Sequence, residues 1–210
     1  LGSRGLGDVY KRQIYQSAIL LPFLMSMVIL SYIVYALLSA ENGLVNNTIL
    51  PLLHIDPIQW YQKPKYWPAI LIIANCWKGV GYGCLIYIAS LIGIDPTYYE
   101  AARLDGATKW QEITKITLPC LVPTIITLLL LSIGRIFYSD FGLFYQVPMN
   151  SGVLFPTTNV IDTYVYRALI EQGNISMSSA AGVYQSLVGF VIVMLSNWIV
   201  RRVDKDRALF

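Results

Sequence analysis

Four long apolar segments constrain the fold of this chain more than any other feature of its sequence. They run approximately over residues 14–39, 69–92, 118–138 and 180–200. A helix needs roughly 20 mostly apolar residues to cross a hydrocarbon layer about 30 Å thick. Each segment is too long for an ordinary strand, and unpaired backbone groups are not tolerated in lipid, so each is expected to be a helix. We predict an all-α, polytopic membrane helix bundle with four spans.

Composition supports a membrane location and argues against a nucleic-acid partner. Of the 210 residues, 56% are hydrophobic and only 13% are charged, which is more apolar than an average soluble domain. The net charge of +3 is small and the basic residues are scattered. There is no basic patch interleaved with aromatic residues. We therefore expect membrane lipid around the chain and no nucleic-acid partner.

Few residues could carry catalysis or bind a metal. Cys76, Cys84 and Cys120 show no CxxC spacing, and His54 is the single histidine. We predict no catalytic residue and no metal site, which disfavours a membrane enzyme. An ion channel or ion-coupled carrier is the first alternative function. It would be expected to have several acidic residues within its spans or a selectivity loop, and the sequence shows neither.

The positions of lysine and arginine predict the orientation, because cytoplasmic loops contain an excess of both. The segments between spans at 40–68 and 139–179 hold few of them and are assigned to the outside. The basic residues of the second connection and of the tail place both ends of the chain in the cytoplasm; they are Arg103, Lys109, Lys115, Arg201, Arg202, Lys205 and Arg207. The long outer segment 139–179 is a candidate landing area for an extracellular partner.

Aromatic residues cluster at the predicted outer membrane boundary. An interfacial belt is the favoured interpretation, with stacking on a sugar as the sharper alternative. The cluster consists of Trp60, Tyr61, Tyr66 and Trp67 before the second span and Tyr138, Phe141, Phe144 and Tyr145 after the third.

The connection over residues 95–117 is too long and too amphipathic for a simple turn. Asp95 followed by Pro96 predicts a helix start, and Thr97 with Glu100 offers an overlapping capping box. The helix is expected to end near Gly106, which readily adopts positive φ. The product is a cytoplasmic helix, hinge and second helix, joined rigidly to the spans on both sides.

The second helix of this connection is expected from about Ala107. Ala107, Trp110, Ile113 and Ile116 form an approximate i, i+3 apolar stripe, with Arg103, Lys109, Glu112 and Lys115 projecting elsewhere. Two interpretations remain. The connection could transmit movement from a soluble partner, or it could lie on the membrane with Trp110 as an anchor.

The order of residues in this connection favours transmission. Glu100-Ala101-Ala102, Gly106, Ile116 and Leu118-Pro119 resemble the EAA signature of permease subunits in binding-protein-dependent ABC importers. Further segments resemble the oligosaccharide and polysaccharide branch of the maltose-type family: Gly43-Leu44-Val45-Asn46, Trp77-Lys78-Gly79-Val80-Gly81-Tyr82, Gly93-Ile94-Asp95-Pro96, Val160-Ile161-Asp162-Thr163-Tyr164-Val165-Tyr166-Arg167 and Asn197-Trp198-Ile199-Val200-Arg201-Arg202.

The resemblance implies a bacterial inner-membrane permease subunit that works with other chains. These are a second permease subunit, a cytoplasmic ABC ATPase dimer and an extracellular sugar-binding protein. The chain lacks a G-x-x-x-x-G-K-[ST] phosphate loop, so no cofactor is expected in it, and ATP and magnesium belong to the partner ATPase. Carried over by motif, the ATPase-coupling residues are Glu100, Ala101, Ala102, Asp105, Gly106, Ile116, Leu118 and Pro119.

Three polar residues within or near the spans are candidates for the translocation path. Lys78 lies well inside the second span, where an ionisable group is costly unless it faces protein or water. It could contact sugar hydroxyls, or it could be snorkelling or paired structurally. Asn75 and Gln185 could line a wet path or join helices. A structural subunit without a pore remains a further alternative.

The first thirteen residues do not fit this scheme. They are Gly-rich and charged, lack an initiator Met and do not resemble a signal peptide. We expect residues 1–13 to be a non-native or mis-assembled tail and residues 14–210 to be the importer transmembrane domain. Similar family members have six spans, which suggests that two N-terminal spans are missing here.

Overall fold

The computed structural model describes residues 14–136 and 138–203, and within them every regular element is helical. The predicted all-α fold is therefore confirmed, whereas the prediction about residues 1–13 lies outside the described residues. The α-helices of at least four residues are α1 Ile14–Leu24, α2 Met27–Leu38, α3 Trp67–Ile92, α4 Pro96–Leu104, α5 Lys109–Glu112, α6 Leu118–Gly134, α7 Phe141–Gln146, α8 Phe155–Thr158, α9 Ile161–Ile170 and α10 Ile175–Val203.

Within the described residues, three continuous helical stretches are long and apolar enough to cross a membrane: Pro64–Ile92, Lys109–Ile133 and Ile175–Arg202. The helices of the second and fourth predicted spans begin before the apolar windows do. The third ends earlier than expected, since α6 stops at Gly134 rather than near Tyr138. Its helical stretch begins at Lys109, so the second helix of the connection and the third span form one continuous rod.

The first predicted span is not one helix. Helices α1 and α2 meet at an angle of 94°, so the expectation of an uninterrupted helix over residues 14–39 is wrong. Ser26 begins α2 as its N-cap, and its hydroxyl accepts a hydrogen bond from the Ile29 N–H at 3.2 Å. A serine hydroxyl that accepts a hydrogen bond from an amide N–H of the first turn favours the start of a new helix at that point. The pair counts as a fourth span only if both arms belong to one crossing.

Two widened π-helical turns have the same sequence cause. They span Val45–Ile49 and Ile113–Thr117, and each is followed directly by a Leu-Pro pair, at Pro51 and Pro119. Proline has no N–H to donate, and its ring clashes with the carbonyl four residues earlier. The chain relieves the clash by opening one turn, in which the leucine N–H donates to the fifth residue back.

The described part of the chain divides into two compact units, residues 14–81 with 138–184 and residues 82–136 with 185–203. The core of the first unit contains fully buried Trp67, Val147 and Leu154, with Leu30 and Leu143 packed among them. Burial of large apolar side chains, each contributing about 1.5–3 kcal/mol, stabilises this unit. The second unit contains the connection over residues 95–117 and is described below.

The two segments predicted to lie outside the membrane are folded rather than open. The long loop expected over residues 139–179 contains α7, α8, α9 and the start of α10, and it contributes Leu143, Val147 and Leu154 to the core. In α9 the guanidinium of Arg167 lies buried, 4.1 Å from the Phe155 ring centroid. The segment is therefore a structured surface and not a flexible connection.

Asn46 organises the other of these two segments, residues 40–68, and is 1% exposed. Its amide nitrogen donates to the carbonyls of Ser39 (3.1 Å) and Ile58 (2.9 Å). Its amide oxygen accepts from the Ile58 N–H (3.2 Å) and from Trp60 Nε1 (3.0 Å). Trp67 Nε1 in turn donates to the Trp60 carbonyl at 2.8 Å. One asparagine thus fixes residues 39–60 against the start of α3.

Candidate functional site

The candidate site is the connection between α3 and α6, residues 95–117, which we call the coupling elbow. Its first helix, α4, begins as the sequence predicts. Asp95 is the N-cap, its carboxylate accepts from the Thr97 N–H at 2.9 Å, and Pro96 occupies the first helical position. That hydrogen bond holds the pKa of the Asp95 carboxyl below its usual range. The structure uses this cap and not the alternative box of Thr97 with Glu100.

Helix α4 ends in a Schellman motif at Gly106. Gly106 has φ +76°, its N–H donates to the Arg103 carbonyl at 3.1 Å, and the Ala107 N–H donates to the Ala102 carbonyl at 2.9 Å. This pair of bonds closes a helix when the residue after its C-cap is left-handed, a conformation that suits glycine. The hinge predicted at Gly106 therefore has a defined geometry.

Helix α5 begins with a capping box that the sequence analysis overlooked. The Gln111 N–H donates to the Thr108 hydroxyl, and the Thr108 N–H donates to the Gln111 side-chain oxygen at 2.8 Å. The helix consequently starts at Lys109 and not near Ala107. The Thr-x-x-Gln spacing was readable in the sequence as a capping signal.

Glu112 lies in a different environment from the other charged residues of the elbow. It was expected to project away from the apolar stripe, as were Arg103, Lys109 and Lys115, and of these four residues it alone is buried. Its carboxylate accepts from Arg103 Nε at 3.2 Å and from Lys109 Nζ at 3.0 Å, whereas both cations are largely exposed. The bond to Arg103 joins the two arms of the elbow across the hinge.

Two hydroxyl pairs extend this connection toward the spans. The Tyr99 hydroxyl lies 2.9 Å from the Thr117 hydroxyl oxygen, linking α4 to the widened turn. The Ser90 hydroxyl lies 3.0 Å from that of Thr124, linking the end of α3 to α6. Displacement of α4 would therefore act on α6 through side-chain contacts as well as through the backbone.

The predicted ATPase-coupling residues fall into two groups. Glu100, Ala101, Asp105 and Gly106 are exposed near the end of α4, and Ala102 beside them is half-buried. Ile116, Leu118 and Pro119 lie in the widened turn and the first turn of α6. The first group forms an accessible surface beside the hinge, and the second connects the hinge to a span.

Large apolar side chains are exposed on the same elbow. Leu104 is 90% exposed and Trp110 is 71% exposed. Trp110 belongs to the predicted apolar stripe, which is therefore directed away from the second unit's own interior at this position. Exposed apolar side chains rimmed by polar ones are typical of a surface that contacts another protein or a membrane.

The candidate path residues have different surroundings. Asn75 is exposed and Gln185 is buried, and they belong to different units. Lys78 is half-buried, and its ammonium donates to the Phe23 carbonyl at 2.9 Å and to the Met25 carbonyl. A role of these residues in translocation stays a prediction.

Within residues 14–136 and 138–203, no group of three His, Cys, Asp or Glu side chains could hold a metal ion. Among the carboxylates of the elbow, Asp95 caps a helix, Glu112 pairs with two cations, and Glu100 and Asp105 are exposed to solvent. What the arrangement offers chemically is a contact surface and a mechanical link.

The chain is similar to known proteins over nearly its whole length. The family model of the binding-protein-dependent transport system inner membrane component matches residues 5–205. LplB of Bacillus subtilis strain 168 is 32% identical over 198 residues, which cover 94% of this chain and 61% of LplB. The polygalacturonan/rhamnogalacturonan transport system permease protein YteP of the same organism is 32% identical over 200 residues, covering 93% of this chain and 60% of YteP.

A solved structure matches the fold closely. A chain in the crystal structure of a bacterial alginate ABC transporter, in complex with an alginate pentasaccharide-bound periplasmic protein, superposes with a TM-score of 0.86. It is 35% identical, and the match covers 98% of this chain and 68% of that one. The present chain spans about three fifths of the length of the curated relatives it matches, 61% of LplB and 60% of YteP.

Proposed function

Since the chain belongs to the family of binding-protein-dependent transport system inner membrane components, we propose that it is the transmembrane permease subunit of an ATP-driven importer for oligosaccharides or polysaccharides. As a family member with several apolar helices, it is a multi-pass inner-membrane protein. Relatives whose names refer to polygalacturonan and to alginate support a saccharide as the transported solute.

One observation supports this proposal above the others: the elbow combines an accessible surface with direct links to a span. Glu100, Ala101 and Gly106 are exposed beside the hinge. Arg103 and Tyr99, on the same helix, contact Glu112 and Thr117 on the rod that continues into α6. A partner that moves α4 would move α6 with it, which is the requirement for converting work done elsewhere into a change of pore access.

The proposed partners follow from this role. An ABC ATPase dimer would dock at the elbow from the cytoplasm and would bind the ATP and magnesium. A second permease subunit would complete the pore. The periplasmic protein in the related alginate transporter supports an extracellular sugar-binding protein as the third partner.

The proposed orientation places the elbow and both chain ends in the cytoplasm. The folded segment over residues 139–179 would then face outward and form part of the landing surface for the binding protein. Because this segment buries Leu154 and Arg167, deleting its middle would unfold it. Surface substitutions are therefore the better test of docking.

The experiment that tests the function uses Gly106→Pro in the complete subunit, co-expressed with its ATPase. Proline fixes φ near −65° and has no N–H, so it is incompatible with φ +76° and with the bond to the Arg103 carbonyl. We expect ATPase association and saccharide transport to be lost while the protein stays in the membrane.

Gly173→Pro is the matched control for this experiment. Gly173 also has positive φ, +63°, and lies in the outer segment. We expect it to leave ATPase association unchanged, since it imposes the same kind of backbone conflict far along the chain from the elbow. Full association and coupled transport in Gly106→Pro would contradict the proposed role of the elbow.

A further inference from the structure

The sharp bend between α1 and α2 separates two hydrogen-bonding groups that a continuous helix would pair. In an uninterrupted α-helix the Ile29 N–H would donate to the Met25 carbonyl. Here the Ile29 N–H donates to the Ser26 hydroxyl at 3.2 Å, and the Met25 carbonyl accepts from the Lys78 ammonium. The donor and the acceptor of the missing backbone hydrogen bond, the Ile29 N–H and the Met25 carbonyl, are thus each bonded to a side chain.

Lys78 reaches the bend from the middle of α3. Besides the Met25 carbonyl, its ammonium donates to the Phe23 carbonyl at 2.9 Å, and it lies 5.8 Å from the Phe23 ring centroid. An ammonium has three donors and no acceptor, so it is suited to carbonyls at a helix break. In apolar surroundings an unpaired ammonium and unpaired carbonyl oxygens both cost free energy. The hydrogen bonds from Lys78 to the two carbonyls remove both costs.

The packing of α3 presents Lys78 toward this bend. Trp67, Leu71, Ala74 and Gly81 are buried, and with Lys78 they recur at spacings of three and four residues along one face of the helix. A Cβ atom at Gly81 would overlap the Ile19 carbonyl oxygen, so the backbone of α1 lies directly against α3 there. Glycine allows this approach, and Lys78 is one helical turn away from it.

We propose that the Lys78 ammonium holds the span of α1 and α2 in its bent form, which makes Lys78 a positioning residue for the helix break. Without this donor, the Met25 carbonyl regains a partner when the two arms realign and Ile29 returns to it. This assigns Lys78 the structural alternative of its two predicted roles. The inference does not depend on the identity of the transported solute or of the partner ATPase.

The test measures the bend directly in the full chain in lipid nanodiscs. Spin labels at Tyr15→Cys and Leu37→Cys, both exposed, report the separation of the arms by double electron–electron resonance after Cys76, Cys84 and Cys120 are replaced. With a rise of about 1.5 Å per residue, the labelled Cα atoms would be about 22 Å apart in the bent form and about 33 Å apart in a straight helix.

We expect the unaltered Lys78 and Lys78→Arg, which keeps donors, to give the short distance. Lys78→Met keeps the length of the side chain and removes the donor, and it should shift the population to the long distance. Ile73→Met, on the exposed side of the same helix, is the matched control and should stay short. A short distance in Lys78→Met would overturn the proposal.

A second measurement covers the case in which Lys78→Met fails to accumulate. Solid-state NMR of the protein with ¹⁵N-labelled lysine side chains and ¹³C-labelled Phe and Met carbonyls detects dipolar contact between the ammonium and both carbonyls. In the unaltered chain we expect the carbonyl carbons to dephase the lysine ¹⁵N signal. In Lys78→Arg this effect should disappear from the remaining lysine signals. Its absence from the unaltered chain would refute the assignment without any destabilising substitution.

Discussion

At the scale of single residues, buried or half-buried polar side chains fix the geometry of this chain through their hydrogen bonds. Asn46 uses the nitrogen and the oxygen of its side-chain amide to join Ser39, Ile58 and Trp60. The Glu112 carboxylate pairs with the Arg103 guanidinium, and the Lys78 ammonium donates to the Phe23 carbonyl. A buried polar group of this kind costs stability when its partner is removed, because the remaining group cannot return to water.

Asn46→Ala should therefore destabilise the protein by at least about 2 kcal/mol, since several buried donors and acceptors lose their partner together. The neighbouring Asn47→Ala is the control. Asn47 is exposed and donates only one described bond, to the Glu41 carbonyl at 2.9 Å. We expect it to cost less than about 1 kcal/mol. Thermal unfolding of the purified protein in detergent distinguishes the two, and equal midpoints would show that the Asn46 network is not stabilising.

At the scale of elements, the coupling elbow behaves as two short arms braced against one long rod. Backbone caps at Asp95, Gly106 and Thr108 fix where the arms begin and end. The bond from Arg103 to Glu112 then fixes the angle between the arms. An elbow held in this way can transmit force, whereas an unbraced connection would absorb it by bending at the hinge.

Glu112→Gln tests this bracing, because it keeps the shape of the side chain and removes the charge that Arg103 and Lys109 contact. We expect the ATPase still to associate but transport per ATP hydrolysed to fall by roughly fivefold or more, the lower end of the range typical of coupling between sites. Lys115→Gln, an exposed charge on the next turn of the same rod, is the control and should show no such fall. Equal coupling in the two variants would exclude a bracing role for Glu112.

The local features of the elbow were predictable from sequence, and the tertiary ones were not. The Asp95-Pro96 start and the Gly106 hinge depend on residues within one turn, so their residue types suffice to predict them. The burial of Glu112 depends on Arg103 from another helix, and the 94° bend depends on Lys78 from α3. A hydropathy profile shows only that residues 14–39 are apolar. It gives no information about a side chain from a distant part of the sequence, such as Lys78, that contacts them.

At the scale of the whole molecule, the family membership and the long apolar helices describe a multi-pass membrane protein with a structured surface in each unit. The elbow belongs to one unit, and the folded segment of α7, α8 and α9 belongs to the other. If the distribution of lysine and arginine sets the orientation as proposed, these two surfaces face opposite sides of the membrane.

The side of the membrane on which each surface lies can be measured with a membrane-impermeant maleimide. The measurement uses the chain with Cys76, Cys84 and Cys120 replaced. Leu104→Cys on the elbow and Gln172→Cys after α9 are both exposed positions. We expect Gln172→Cys to react in right-side-out vesicles and Leu104→Cys only in inside-out vesicles. Reaction of Leu104→Cys from the outside would contradict the proposed contact with a cytoplasmic ATPase.

The exposure of Leu104 and Trp110 has a consequence for the cell that makes this protein. If the proposed ATPase covers these side chains, a copy made in excess of that partner would leave them exposed to the chaperones and quality-control proteases that recognise unassembled polypeptides. Its lifetime should then depend on how many companion chains are produced alongside it. On this proposal, balanced production of the chain and its partner would limit its degradation.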